Sequence, residues 1–206
     1  MSSLRSYGDP CGIARALDLV GERWSLLIVR ELCFGPKRFK ELRAGLPEAS
    51  PNVLSQRLRE LEGGGVIRHH EGRATYELTE WGRELHPLLV QLGRWGARST
   101  AKRVGQLSLD ALMVALEATF VPSLAKDARG VVQLRLAGEA FRVDLADGAL
   151  TIARGDAPNA DVVITGDAPT LRAVVFGDVK LADSKLELTG ELGLGRRFLS
   201  CFRRPA

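Results

Sequence analysis

Histidine, cysteine and methionine are scarce here, with 3, 3 and 2 copies among 206 residues. The cysteines, Cys11, Cys33 and Cys201, are odd in number and widely spaced, and no CxxC pair occurs. That argues against a disulfide framework or a zinc site and fits a reducing cytoplasm. The histidines show no metal-ligand spacing. With no nucleophile–base arrangement and no glycine-rich phosphate loop, the chain offers little to support an enzyme, and no cofactor is expected. No apolar run reaches the roughly 18 residues of a membrane span. Met1–Pro10 lacks the apolar centre of an export signal. Internal repeats and low-complexity tracts are missing too.

What remains is ordinary soluble-protein material, 45% hydrophobic and 26% charged. The charge is unevenly spread. Residues 1–105 hold 17 Lys+Arg against 12 Asp+Glu, whereas residues 106–206 hold 12 against 13. The first half is therefore the half suited to a polyanion, and the second is close to neutral.

The apolar pattern of the first half has helical period. Ile13, Ala14, Leu17 and Val20, then Trp24, Leu27 and Ile28, recur every three or four residues, with Gly21 dividing the run into two helices. The second of these runs to Cys33 or Phe34 and stops at Gly35-Pro36. Arg38–Ala44 reads as a short helix with Phe39 and Leu42 inward. Ser50-Pro51 opens the next helix, since serine caps well and proline is tolerated at the first helical position. Leu54, Leu58 and Leu61 bury that helix, and Gly63-Gly64-Gly65 ends it. Val66-Ile67 and Tyr76-Glu77-Leu78 have strand composition about a bend at Glu71-Gly72. Thr79 caps a last helix bearing Leu85, Leu88, Leu89, Leu92 and Trp95.

Helix, turn, helix, then a basic hairpin is the order of a winged helix-turn-helix, a scaffold that lays one helix into a DNA groove. Burying the leucines of Ser50–Glu62 leaves Asn52, Ser55, Gln56 and Arg59 outward, with Ser50 and Pro51 at the tip. Asparagine and glutamine pair a donor with an acceptor, matching the major-groove edge of adenine. The free N–H groups of the helix start favour phosphate. Arg38, Lys40 and Arg43 before the helix, and Arg68 and Arg73 at the hairpin, suit backbone phosphates.

These blocks resemble the HxlR-type family of bacterial winged helix-turn-helix regulators, relatives of the MarR group. The resemblance rests on Cys11 and Leu17, Gly21–Ile28, Gly35-Pro36, Arg38-Phe39, Glu41-Leu42, Leu54–Leu61, Tyr76–Gly82 and Trp95-Gly96. It implies a homodimer paired through the first and last helices, bound to a pseudo-palindromic operator, most often as a repressor. Arg68–Thr75 is shorter than the proline-containing wing of many family members. Cys11 stands where some members sense oxidants. Arg15, one turn on, suits a stabilised thiolate there, against the alternative of an unreactive thiol. Cys33 reads as core. His69 and His70, adjacent on a strand, point to opposite faces, which disfavours joint metal binding.

From Arg103 to Ser108 the pattern lapses, and a second unit follows. Leu109–Phe120 reads as a helix, and Val131–Leu136, Ala140–Leu145, Ala149–Ala153 and Asp161–Ile164 as strands, with Asp147-Gly148 a hairpin turn. Pro169–Phe176 is helical, Lys185–Leu188 extended and Leu192–Phe202 helical again. Phe141–Val143, Asp147–Ile152, Ala160–Gly166, Leu186–Gly190 and Arg197–Leu199 resemble the sterol-carrier-protein-like fold, which can enclose an elongated apolar ligand. Phe120, Phe141, Val174, Phe176, Leu199 and Phe202 are candidates to line such a pocket. Ordinary core is the alternative, because a small domain needs its large apolar residues for itself.

The expectation is thus an α+β chain, with residues 1–105 a winged helix-turn-helix domain for DNA binding and dimerisation. Residues 106–206 form a sterol-carrier-like domain able to take an apolar effector. A second reading makes the chain a lipid or small-molecule carrier whose winged domain serves only to dimerise.

Overall fold

The computed structural model describes residues 6–100 and 105–203. The start of the expected break, Arg103-Val104, lies outside the described residues. By their contacts the residues fall into two compact units, Met1–Leu89 and Val90–Ala206. One helix, Leu85–Gly96, runs across that division.

In the first unit, α1 (Gly12–Val20) and α2 (Ser25–Leu32) are separated as the glycine suggested. Trp24 precedes α2 in left-handed backbone, at φ 82°, with its ring half-buried against the core and the Arg23 guanidinium 5.1 Å from its centroid. A two-residue strand, β1 (Lys37–Arg38), leads into α3 (Phe39–Gly45), and α4 spans Pro51–Gly63. The Ser50 hydroxyl accepts from the Val53 N–H at 3.4 Å, and Pro51 takes the first helical position. Leu54, Leu58 and Leu61 are fully buried beside Ile28, Leu32, Leu42 and Ile67.

The hairpin consists of β2 (Ile67–His70) and β3 (Thr75–Leu78), joined by one 3-10 turn at Glu71–Arg73. β1 adds to the free edge of β3, opposing Lys37 to Tyr76 and Arg38 to Thr75. The wing sheet is therefore three-stranded, in the order β1-β3-β2, and its first strand was not read from the sequence. The single last helix expected after Thr79 is two helices, α5 (Glu80–Arg83) and α6 (Leu85–Gly96). Thr79 does cap the first of them, accepting from the Gly82 N–H at 3.0 Å.

The apolar residues of α6 divide between the core and solvent. Leu89 is buried and Leu85 packs on the core, but Leu88, Leu92 and Trp95 form an exposed stripe along α6. Ile13, Leu17 and Leu27, whose spacing predicts helices packing into a core, are exposed instead. Period identifies an apolar face; it does not say what covers that face.

The second unit is built on a five-stranded sheet in the order β6-β5-β4-β7-β8. Its strands are β4 (Gly130–Leu136), β5 (Glu139–Ala146), β6 (Ala149–Arg154), β7 (Val162–Gly166) and β8 (Glu187–Gly190). β4 and β7 pair in parallel and every other pair is antiparallel. Asp147-Gly148 makes the expected hairpin, with φ 53° and 71°, the double left-handed geometry of a tight two-residue turn. Ala137-Gly138 repeats it between β4 and β5, at φ 51° and 86°.

α7 (Leu109–Thr119), α8 (Ala168–Phe176) and α9 (Leu192–Leu199) complete this unit. Inward residues of the strands, Val132, Leu134, Phe141, Val143 and Ile164, are buried together with Leu112, Leu116, Leu171 and Phe198 from the helices. α9 stops three residues before the expected end, because the chain turns extended and Phe202 bridges to Phe120. The extended stretch expected at Lys185–Leu188 lies slightly later, at Glu187–Gly190.

Candidate nucleic-acid interface

The leucine face of α4 dictates what the opposite face presents. Pro51, Asn52, Gln56 and Arg59 are exposed and Ser55 is half-buried, while Ser50 is exposed at the cap. The Gln56 amide donates to the Glu60 carboxylate at 3.0 Å, one turn along the same helix. Arg57, by contrast, turns to the side and pairs with Glu60 and, at 3.7 Å, with Glu22.

The cations divide into two groups. Among the described residues Arg38, Lys40, Arg43, Arg59 and Arg73 form no ion pair and all are exposed. Arg68 is different: Glu77, on the neighbouring strand, binds both its guanidinium and, at 2.7 Å, His70 Nε2. The hydrogen bond from His70, with the Arg68 guanidinium beside it, holds the Glu77 carboxyl below its ordinary range. Arg68 is thus half committed to bracing the wing, and Arg73 at the turn is the freer cation. His69 stacks on Tyr76 with ring centroids 4.4 Å apart, so the two histidines serve different partners. Burial, followed by the nearby Glu62 carboxylate, pushes the Tyr76 hydroxyl above its usual pKa.

Sequence reasoning missed Glu31. This carboxylate at the end of α2 is fully buried and pairs with Arg30 at 2.8 Å and Lys37 at 3.0 Å. A glutamate in an Arg-Glu-Leu run looks like a solvated helix residue. Only the half-burial of Arg30 and Lys37 around it would have signalled otherwise.

In the second unit, Val174 and Leu199 line an open cavity of about 610 Å³ between the end of α8, the Val179–Ala182 segment and α9. Lys180, Arg196 and Arg203 also reach it. The remaining candidates lie elsewhere. Phe120 and Phe202 pack ring against ring, Phe202 also meets Phe198, and Phe141 sits buried under the Arg154 guanidinium. Phe176 is half-buried at the end of α8. The aromatic bulk of Phe120, Phe141 and Phe202 fills the core, as in a small domain that needs its large apolar residues for itself.

Cys11 is exposed at the start of α1, where its N–H donates to Asp9 at 2.8 Å. Cys33 is half-buried and bonds to the Val29 carbonyl, and Cys201 is buried, which raises its thiol pKa. Among the described residues no group of three His, Cys, Asp or Glu is placed to hold a metal. None of their helices is long and apolar enough to cross a membrane.

Comparison with known proteins fits this geometry. Residues 19–104 match the model of the HxlR-like helix-turn-helix family. The uncharacterized HTH-type transcriptional regulator YvaP of Bacillus subtilis is 41% identical over 86 residues, which cover 39% of this chain and 80% of that protein. The chain belongs to the HxlR-like helix-turn-helix family. YdeP, another uncharacterized HTH-type regulator of Bacillus subtilis, is 36% identical over 96 residues, covering 44% of this chain and 74% of YdeP. Among solved structures, quinone-bound YodB from B. subtilis is 34% identical; the match covers 42% of this chain and 97% of that one, with a TM-score of 0.39. Residues 114–203 match the SCP-2 sterol transfer family. The chain is an α+β protein that joins a regulator's DNA-binding fold to a sterol-carrier-type domain.

Proposed function

We propose that this protein is a cytoplasmic, dimeric, sequence-specific repressor that an apolar small molecule controls through the second unit. Two copies of α4, related by a two-fold axis, enter successive major grooves of a pseudo-palindromic operator about 10 base pairs apart. The observation that carries the reading is the division of α4. Leu54, Leu58 and Leu61 are sealed in the core, while Asn52, Gln56 and Arg59 are left to solvent. Asn52 and Gln56 read base edges, and Arg38, Lys40, Arg43 and Arg73 hold phosphates on either side.

Dimerisation is supported by the two uncovered stripes. Ile13 on α1 is 72% exposed and Trp95 on α6 is 67% exposed, with Leu17, Leu88 and Leu92 beside them on the same helices. Apolar stripes of this kind mark association surfaces, and a second copy is the occupant that a palindromic operator requires. Control by a small molecule is supported by the cavity against α8 and α9, whose apolar lining takes a hydrocarbon body. A ligand shifts DNA affinity only through different affinities for the free and DNA-bound states. A gel shift with the DNA upstream of the protein's own gene, at low salt, tests the reading. A discrete retarded complex is expected, and no binding contradicts it.

A further inference from the structure

Accepting the DNA-binding reading, we infer that Glu31 is a positioning residue for phosphate contact, anchoring the start of the basic segment Lys37–Gly45 through Lys37 while its buried carboxylate packs against the end of the segment at Gly45. The segment carries Arg38, Lys40 and Arg43, exposed and without ion pairs among the described residues. The segment's backbone is paired to β3 at Lys37 and Arg38. Its two ends, however, converge on a single atom. Lys37 Nζ lies 3.0 Å from Glu31 Oε2, and a Cβ added to Gly45 would stand 2.2 Å from the same oxygen. Glu31 Oε1 is engaged by Arg30 at 2.8 Å, so the carboxylate cannot swing aside without losing that partner.

Glu31 is completely buried. Taking a carboxylate out of water is costly, and a hydrophobic residue of similar volume is often at least as stabilising there. What an ion pair offers instead is a defined register. Here the register is that of β1, where Lys37 turns inward so that its neighbour Arg38 faces out, and of the α3 end, where only glycine leaves room for the carboxylate. Gly45 lies in ordinary helical backbone, so an alanine there meets no obstacle except Glu31.

The test is the salt dependence of binding to a random-sequence DNA duplex, read by fluorescence anisotropy for the wild type, Glu31→Gln and Gly45→Ala. The positioning role predicts that both variants stay folded by circular dichroism and bind roughly tenfold more weakly. Their log–log salt slopes shrink by about 0.9 for each phosphate no longer neutralised. The sign separates the alternatives. Removing a negative charge acts through space to strengthen attraction to a polyanion, so tighter binding by Glu31→Gln overturns the inference. A role in folding alone lowers the binding-competent fraction and leaves the slope unchanged, which also overturns it. Should Glu31→Gln not fold, Gly45→Ala decides by its own slope; if neither folds, Glu31 is a folding residue and the inference falls. A wild type that binds no duplex at low salt removes the DNA reading itself, whereas wild-type binding with unchanged variant slopes removes only the role of Glu31.

Discussion

Arginine is used in opposite ways on the five-stranded sheet and around the α3–α4–wing-turn region. On the sheet, Arg129, Arg135, Arg142 and Arg154 each face a carboxylate, respectively Asp147, Asp156, Asp144 and the Asp110–Glu139 pair. Around α3, α4 and the wing turn, Arg38, Lys40, Arg43, Arg59 and Arg73 face none among the described residues. The difference does not lie in the presence of arginine, which both regions carry. It is one of neutralisation. A cation already matched by a carboxylate adds little to the field beyond it, whereas adjacent unmatched cations sum into a potential that attracts phosphate. The units also differ in how they use their aromatic residues. The sheet unit locks Phe120, Phe141, Phe198 and Phe202 inside, while the first unit leaves Tyr7 and Trp81 in solvent.

The contrast breaks most visibly in the cores. Phe141→Ala removes a fully buried ring beneath Arg154 and is expected to destabilise the sheet unit by about 3–5 kcal/mol. Chemical denaturation followed by circular dichroism measures the loss, and the salt slope for DNA should stay as in the wild type. Gln56→Ala is expected to cost about 1–3 kcal/mol on the preferred operator and to relax base preference at one position. Competition binding with single-base operator variants reads this, and equal losses on specific and random DNA would take Gln56 out of the base-reading set.

Charge deletions sharpen the contrast more gently. Arg73→Ala should weaken all duplexes alike and reduce the salt slope by about 0.9, whereas Arg142→Ala, already matched by Asp144, should leave the slope unchanged. Smallest of all is the wing brace. Because its hydrogen bond to His70 holds Glu77 below the ordinary carboxylate range, the folded state favours the charged form. The stabilisation is present above the unfolded pKa of Glu77 and is lost as pH falls through its folded value. Glu77→Gln should therefore lower the melting temperature slightly near neutrality. The gap should close in acid below the carboxylate range, as thermal melts across pH will show.

Much of this was legible in the chain, for identifiable reasons. Ser50-Pro51, the three leucines and the glycine triplet marked α4 because capping and period are local properties. Asp147-Gly148 marked its hairpin because few residue pairs accept two left-handed conformations in succession. What escaped was set by contacts distant in sequence. β1 is two residues long and exists only because β3 offers an edge. Glu31 is buried only because β1 and α3 close over it. Leu88, Leu92 and Trp95 have the period of a core stripe and yet face solvent, since period does not name a partner. Phe120, Phe141 and Phe202, read as pocket candidates, pack inside among the leucines and isoleucines of the sheet unit, where a small domain needs its large apolar residues.

The claim on which the rest depends is that the polar side of α4 meets base edges in pairs. Selection of binding sequences from a randomised duplex library by the wild-type protein tests it most directly. The account predicts enrichment of two inverted half-sites centred about 10 base pairs apart, with Gln56→Ala losing enrichment at one position in each half-site. Recovered sequences without a shared motif, or a single unpaired site untouched by the Gln56 change, would contradict it.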